Sequence, residues 1–383
     1  MRILFASDDD QDIRVGAVKA TMRLAEGLRA RGHECTLIWR AEVGARPHNE
    51  RLRLFLSPWV VRRAVIQAWK ETGAFDVIDA AGAEGFALAL LRWISCYRKA
   101  RIVVRSHGFD RFWYRSLLDD HHAGHGRKPW PRRILFPLAR LSQERGAMRL
   151  ADRVLVLNRR GRNLVIDSGW QPPERVHLIP HGALASRIAE APPADAERGG
   201  GILFSGYWQA VKGIHYLAEA YRQLWARGVR VPLTLLSATE DMDRETFEIE
   251  AMFAPECRPG LRILMRTDDQ DFVFGLYRSH DLLVCPSNFE GFGLVVIEAL
   301  SQRLPVVCTD GVGAADLLKP GIEIEVVPVR NAGALADAMA TLLGDPGRRR
   351  RMAEAGFTKA QELTWDHAIE ATLQVYKESC ELT

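Results

Sequence analysis

The sequence predicts an α/β protein built from two tandem Rossmann-like domains, with parallel sheets facing a central cleft. Three observations carry this. The chain has 383 residues, more than one hydrophobic core accommodates. A unit of short apolar strand, helix-period stretch and second short strand recurs along both halves. Near the middle lies an Ala-, Pro- and Gly-rich segment, "ALASRIAEAPPADAERGG", followed at once by a new strand, "GILFSG".

The first unit opens on "RILFAS". After a polar loop, apolar residues at Met22, Leu24 and Leu28 mark a helix from about Val18 to Ala30, which Gly32 stops before the strand "ECTLIW". "FDVIDA", a helical run from Gly85 and "RIVVRS" repeat the pattern, and so do "DRVLVL", a further helix and "RVHLIP". Short apolar strands alternating with helices imply parallel pairing, with both sheet faces covered. The second half runs through "GILFSG", a helix from Ile214 to Ala226, "PLTLLS", "RILMR", "DLLVCPS", a helix carrying Glu298, "PVVCTD" and "IEVVP". The expected domains are therefore 1–185, a linker over 186–200, 201–365, and a closing helix over 366–383 that packs back toward the first domain. Ligands of such sheets bind at the carboxyl ends of the strands.

The longest early apolar run, "FALALLRWISC", is interrupted by Arg92 and is shorter than the roughly 20 residues of a membrane span. The opening residues "MRILFASDDD" lack the pattern of a signal peptide, so a cytoplasmic protein is expected. Six scattered cysteines show no zinc-site spacing, and no D-x-D is placed like a metal-binding loop. Charge is uneven: 34 basic against 22 acidic residues up to residue 200, and 18 against 26 after it, a net +12 and −8. A basic first domain suits an anionic partner such as a membrane surface or a phosphorylated substrate, and equally a solvated face with no partner.

The stretch with the most chemistry is "PSNFEGFGLVVIEAL". Glu290 falls on a loop after a strand, and Glu298 in the second turn of a helix beginning near Gly293, where it stacks beside Leu294 and Val295. A carboxylate leaning toward an apolar face needs a dedicated hydrogen-bonding partner, and a ribose diol is a natural one. The glycines and the helix amino terminus offer free N–H groups and partial positive charge to a diphosphate.

With its neighbours this stretch resembles the signature of glycosyltransferase family 4, the retaining GT-B enzymes that transfer sugars from nucleotide-diphosphate donors. "PSNFEGFGLVVIEALSQRLPVVCTDGVGAADLL", "GHECTLIW", "RSHGFD", "ADRVLVLN", "RVHLIPHG", "GYWQAVKG" and "LTWDHAIEATLQVY" are similar to the family's landmarks, in order, over nearly the whole chain. The resemblance implies catalytic roles for Glu290, His107 and Lys212. It implies a donor site of Gly16, Lys212, Glu290, Gly291, Phe292, Gly293, Leu294 and Glu298, with Glu290 at the sugar, Glu298 at the ribose and Lys212 at the diphosphate. His107 would reach the donor sugar from the other domain, and Gly311 and Gly313 would turn the chain near the sugar.

Two departures stand out. Relatives commonly have arginine where Tyr207 stands, a second cation for the diphosphate; either Arg14 or Lys19 compensates, or leaving-group stabilisation is weaker, or the enzyme is slow or uses an unusual donor. Arg303 occupies the place of a usual glycine before Leu-Pro-Val.

The family view implies a front-face reaction with retention of configuration, no metal and no cofactor beyond the nucleotide sugar. The acceptor would be a carbohydrate or lipid-linked hydroxyl in cell-surface polysaccharide, lipopolysaccharide or glycolipid synthesis, and no nucleic-acid partner is expected. The stretches "DDHHAGHGRKPWPRR", read as an insertion in the acceptor domain that contacts acceptor, and "RLRLFLSPWVVRRAVIQAWK" interleave Arg with Trp, Phe and Leu. Such a surface suits peripheral attachment to the anionic inner face of a membrane. A noncatalytic or weakly active nucleotide-sugar-binding protein, and a sugar-nucleotide epimerase, stand as alternatives on the same fold.

Overall fold

A computed structural model describes residues 1–8, 16–39, 50–125, 136–188, 199–239 and 242–381. Among these residues the apolar runs assemble into two six-stranded sheets, every strand pair of which is parallel. The chain divides into two compact units. One comprises Met1–Tyr114, Lys128–His181 and Trp365–Thr383; the other comprises Arg115–Arg127 and Gly182–Thr364.

The first sheet contains β1 (Arg2–Ala6), β2 (Glu34–Ile38), β3 (Val77–Ala81), β4 (Arg101–Arg105), β5 (Arg153–Val156) and β6 (Val176–Leu178), in the order β2-β1-β3-β4-β5-β6. Leu4 pairs with Thr36 on one side and Ile78 on the other. Ile3, Leu4, Ile78, Ile102, Val103 and Val104 are fully buried. Consecutive burial of this kind is what helices on both faces impose, and each such side chain contributes about 1.5–3 kcal/mol. The helix Gly16–Ala30 lies close against the closing helix Trp365–Glu381: a Cβ at Gly27 would overlap the Ile369 side chain.

Two buried polar groups tie this unit together. Asp79 on β3 accepts from Arg105 Nη2 (2.9 Å) and Nε (3.1 Å), and from the Tyr376 hydroxyl on the closing helix. All three are at most 3% exposed, so the charges are shielded from water and their mutual satisfaction decides their cost. Arg140 faces Glu84 (2.9 Å) and Asp110 (2.6 Å) and donates to Ser57 Oγ (3.1 Å). Beside them Glu144 accepts from the Asp110 amide (2.7 Å), capping the helix Asp110–His122. Glu84 and Asp110 thus share one guanidinium, with Glu144 held beside them by the Asp110 amide. Burial, and then the Asp110 charge, push the Glu144 carboxyl up to about 8.

The second sheet contains β7 (Ile202–Ser205), β8 (Leu233–Thr239), β9 (Leu261–Met265), β10 (Leu282–Cys285), β11 (Val306–Thr309) and β12 (Glu325–Val327), ordered β12-β11-β10-β7-β8-β9. The helix after β7 is Ile214–Ala226, the span its apolar period indicates. One sequence assignment differs. The segment from Asp119 was read as an insertion in the first domain, yet Asp119 and Asp120 close a regular helix, and Arg115–Arg127 groups with the second unit. Within that unit Asp120 pairs with Arg330 (2.8 Å). Asp9, Asp10, Arg14, 126–133 of the histidine-rich stretch and 189–198 of the linker lie outside the described residues.

Candidate active site

In the second unit, three loops at the carboxyl ends of β7, β10 and β11 meet. The β7 loop ends in a 3-10 turn, Ala210–Lys212, and then Gly213, which caps the helix Ile214–Ala226 in a left-handed conformation (φ 74°). Only glycine fits there, because a Cβ would overlap the Pro286 carbonyl of the β10 loop. The two loops are stitched by the Asn288 amide, which donates to the Val211 carbonyl (2.8 Å), and by Asn288 Nδ2, which donates to the Ala210 carbonyl (3.2 Å).

The β10 loop is held in turn by the β11 loop. The Glu290 amide donates to the Gly311 carbonyl (3.0 Å), and the Glu290 and Phe292 carbonyls accept from the Gly313 (3.0 Å) and Ala314 (2.7 Å) amides. A Cβ at Gly311 would come within 2.6 Å of the Asn288 carbonyl oxygen, so the backbones approach at a distance side chains forbid. Gly293 (φ 96°) caps the helix Leu294–Ser301 with no side-chain cap, leaving amide groups at its start for an anion. Phe292 is buried, while Gly291 and Leu294 are half-buried.

The charged pair in this frame is Lys212 and Glu290. Lys212 Nζ donates to Glu290 Oε2, and both side chains are 25% exposed. Burial works to lower the Lys212 ammonium, but the Glu290 charge and hydrogen bond outweigh it and hold the lysine above its usual value. A partly exposed ion pair beside two glycine-capped helix starts can exchange partners with a ligand bearing both hydroxyls and phosphate. Glu298 lies one turn further along the helix and accepts from the Tyr277 hydroxyl at 3.3 Å. Burial, and then the Glu298 charge, push the Tyr277 phenol well up.

The sequence reading gave no role to Tyr277, which carries no periodic or motif signal, nor to Asn288 and Asp120, although these stand within the signature and the histidine-rich stretch. At Tyr207, where arginine was expected, Arg266 from the segment after β9 places its guanidinium 4.3 Å from the ring centroid.

His107 and Gly16 belong to the first unit. His107 follows β4, and its Nδ1 is buried without a hydrogen-bond partner among the described residues. Burial, and then the Arg105 charge, lower the imidazole to about 4, so it is neutral at physiological pH. It lines a small pocket with Ser7, Thr21, Trp39, Asp79 and Ala81, and its ring lies 5.9 Å from that of His181. Gly16 begins the first helix, exposed, and a Cβ there would meet nothing within 4 Å. Lys19 lies on that same helix of the first unit. Among the described residues no group of three or more His, Cys, Asp or Glu is arranged to hold a metal ion.

Two parallel six-stranded domains with such loops define a GT-B protein. Residues 15–186 match the profile described as Glycosyltransferase Family 4, and residues 199–345 match that described as Glycosyl transferases group 1. The chain belongs to glycosyltransferase family 4. A D-inositol 3-phosphate glycosyltransferase of Xylanimonas cellulosilytica is 30% identical over 220 residues, 54% of this chain and 52% of the relative. The chain spans 52% and 60% of the length of the first two curated relatives it matches. Among solved structures, sucrose-phosphate synthase from Thermosynechococcus elongatus superposes with a TM-score of 0.77 at 20% identity, covering 99% of this chain and 98% of that one. Anabaena HepE in complex with UDP gives 0.72 at 16% identity, covering 99% and 100%. These structural likenesses establish the fold.

Proposed function

We propose that this chain is a retaining glycosyltransferase that moves a sugar from a nucleotide-diphosphate donor to a hydroxyl acceptor. The observation that carries the reading is the Lys212–Glu290 pair, held between two glycine-capped helix starts inside the family signature. In this reading Lys212 and the free amides of Gly293, Leu294 and Val295 take up charge as the sugar's anomeric carbon separates from the diphosphate oxygen. The acceptor oxygen forms its bond on the same face, and its proton passes to a donor phosphate oxygen. Glu290 orients the sugar and Glu298, steadied by Tyr277, the ribose. No resident metal is needed, because fixed cations and amides meet the leaving-group charge.

The name of the Xylanimonas relative favours a polyol phosphate acceptor, and the UDP complex of HepE makes uridine donors the first to try. Incubation with UDP-, GDP- and ADP-sugars should release nucleoside diphosphate with one donor, unchanged by chelator, and NMR of the product should show the donor's anomeric configuration. An inverted product would defeat the retaining mechanism. Release from none of the donors would favour a binding protein, and an epimerised donor sugar with no transfer would favour an epimerase.

We also place the activity at an anionic membrane surface. Among the described residues no helix is long and apolar enough to cross a membrane. Leu56, Trp59, Leu90, Trp93 and Ile94 are exposed in the first unit, beside exposed Arg63, Arg98 and Lys99. The apolar segments are linked: Trp59 meets Phe86 edge-on, and Arg62 donates to Ser95 Oγ (2.8 Å). Apolar rings within a basic collar match a lipid interface. Sedimentation with phosphatidylglycerol vesicles at low salt should capture the wild type and not a Trp93→Ser/Ile94→Ser variant; equal sedimentation would refute this placement.

A further inference from the structure

The last turn of the helix Asp110–His122 and the residues that follow it, through His125, have no part in the chemistry above, yet they touch both arms of the donor site. Asp120, 4% exposed, presents Oδ1 to three donors: Asn288 Nδ2 (2.7 Å), Arg330 Nη2 (2.8 Å) and Arg330 Nε (3.0 Å). Asn288 is 6% exposed, and its amide orientation is fixed because Nδ2 faces two acceptors, Asp120 and the Ala210 carbonyl. Asn288 precedes Glu290 by two residues, while Ala210 and Val211 precede Lys212. Five residues beyond Asp120, the His125 ring stacks on that of His215 at 4.0 Å, with the planes 9° apart. His215 stands three residues after Lys212. The same segment therefore holds the Glu290 loop through one contact and the helix following Lys212 through another.

Arg330 supports this arrangement at a conformational cost. Its backbone is left-handed (φ 60°), a conformation unfavourable for a non-glycine residue, and its guanidinium also donates to the Ser116 carbonyl (3.0 Å) and hydroxyl (3.1 Å). The Asp120 carboxylate faces Arg330, Asn288 and the neighbouring His125, and Arg330 also lies 3.9 Å from Asp119.

We propose that Asp120 is a positioning residue of the donor site, acting through Asn288 to set the spacing between Lys212 and Glu290. The proposal rests on the glycosyltransferase reading and goes beyond it by assigning a role to a segment distant in sequence from the signature. A small misplacement of charged groups around a leaving diphosphate weakens the transition state more than the ground state.

The test compares wild type, Asp120→Ala, Asp120→Asn, Asn288→Ala and the Asp120→Ala/Asn288→Ala double variant. Each is assayed for nucleoside diphosphate release at a temperature well below its own melting point. Asp120→Ala is expected to lower kcat roughly 10- to 100-fold with a smaller change in donor KM. Asp120→Asn keeps an acceptor at Oδ1 and should recover most of that loss. Because Asp120 acts through Asn288, the double variant should lose no more than the worse single variant. An Asp120→Ala enzyme with a lower melting temperature but wild-type kcat, or losses that multiply in the double variant, would overturn the proposal and leave the glycosyltransferase reading intact. A wild type that releases nucleoside diphosphate from no donor would overturn both.

Discussion

Lys212 and Glu290, 78 residues apart in sequence, form an ion pair in the second unit, each still a quarter exposed. The pair satisfies two charges that the loops would otherwise hold partly buried, and in the proposed reading a diphosphate competes for the lysine. Replacing Lys212 with Ala should weaken nucleoside diphosphate binding roughly 10- to 100-fold, the worth of a charge-assisted hydrogen bond. Titration calorimetry with the nucleotide that shifts the melting temperature checks this. Unaltered affinity would mean that the lysine serves Glu290 alone.

Gly213 and Gly16 separate structural from ligand-directed glycines. At Gly213 an added methyl would overlap the Pro286 carbonyl on a left-handed backbone, so Gly213→Ala should destabilise the protein by about 2 kcal/mol or more. At Gly16 the methyl meets nothing, and Gly16→Ala should leave the melting temperature within about 1–2 °C of wild type. A rise in donor KM for Gly16→Ala without loss of stability would place that position against a substrate.

The Asp79–Arg105–Tyr376 group anchors the closing helix within the first unit. Tyr376→Phe removes one donor from a buried carboxylate and should cost about 1–3 kcal/mol, whereas Arg105→Met leaves Asp79 unpaired and should cost about 3–5 kcal/mol. Chemical denaturation of both variants measures the difference. Equal, small losses would show that water already satisfies Asp79.

Glu144 gives the stability a pH dependence. Its folded value, about 8, lies above the ordinary glutamate value of 4.5. Between these values the folded chain therefore holds a proton that the unfolded chain has released, and stability falls as pH rises through that window, by at most about 1.4 kcal/mol per unit. Glu144→Gln keeps an acceptor for the Asp110 amide and removes the titration. Its melting temperature should decline less than that of wild type between pH 6 and 9, and parallel curves would assign the slope elsewhere.

The strands and the donor loops were legible because their causes are local. A fully buried strand must be a short apolar run, as in β1 and β10, and a backbone approach such as Gly213 against Pro286 demands glycine where the motif has it. The polar ties were not legible. Asn288 and Asp120 are 168 positions apart, and Tyr376 and Asp79 are 297 apart. Neither pair leaves a period, and an isolated Asp or Tyr reads the same whether it is solvated or buried. Arg266 eluded the reading for a related reason: nothing local in the sequence brings the segment after β9 to Tyr207, on whose ring its guanidinium stacks.

Nucleoside diphosphate release by Glu290→Ala, compared with wild type on the preferred donor, tests the central assignment most directly. Removing the carboxylate that pairs with Lys212, and that in the proposed reading orients the sugar, is expected to cut kcat about 100-fold or more while the protein stays folded at the assay temperature. Wild-type turnover in that variant would contradict the placement of the reaction at the Lys212–Glu290 pair.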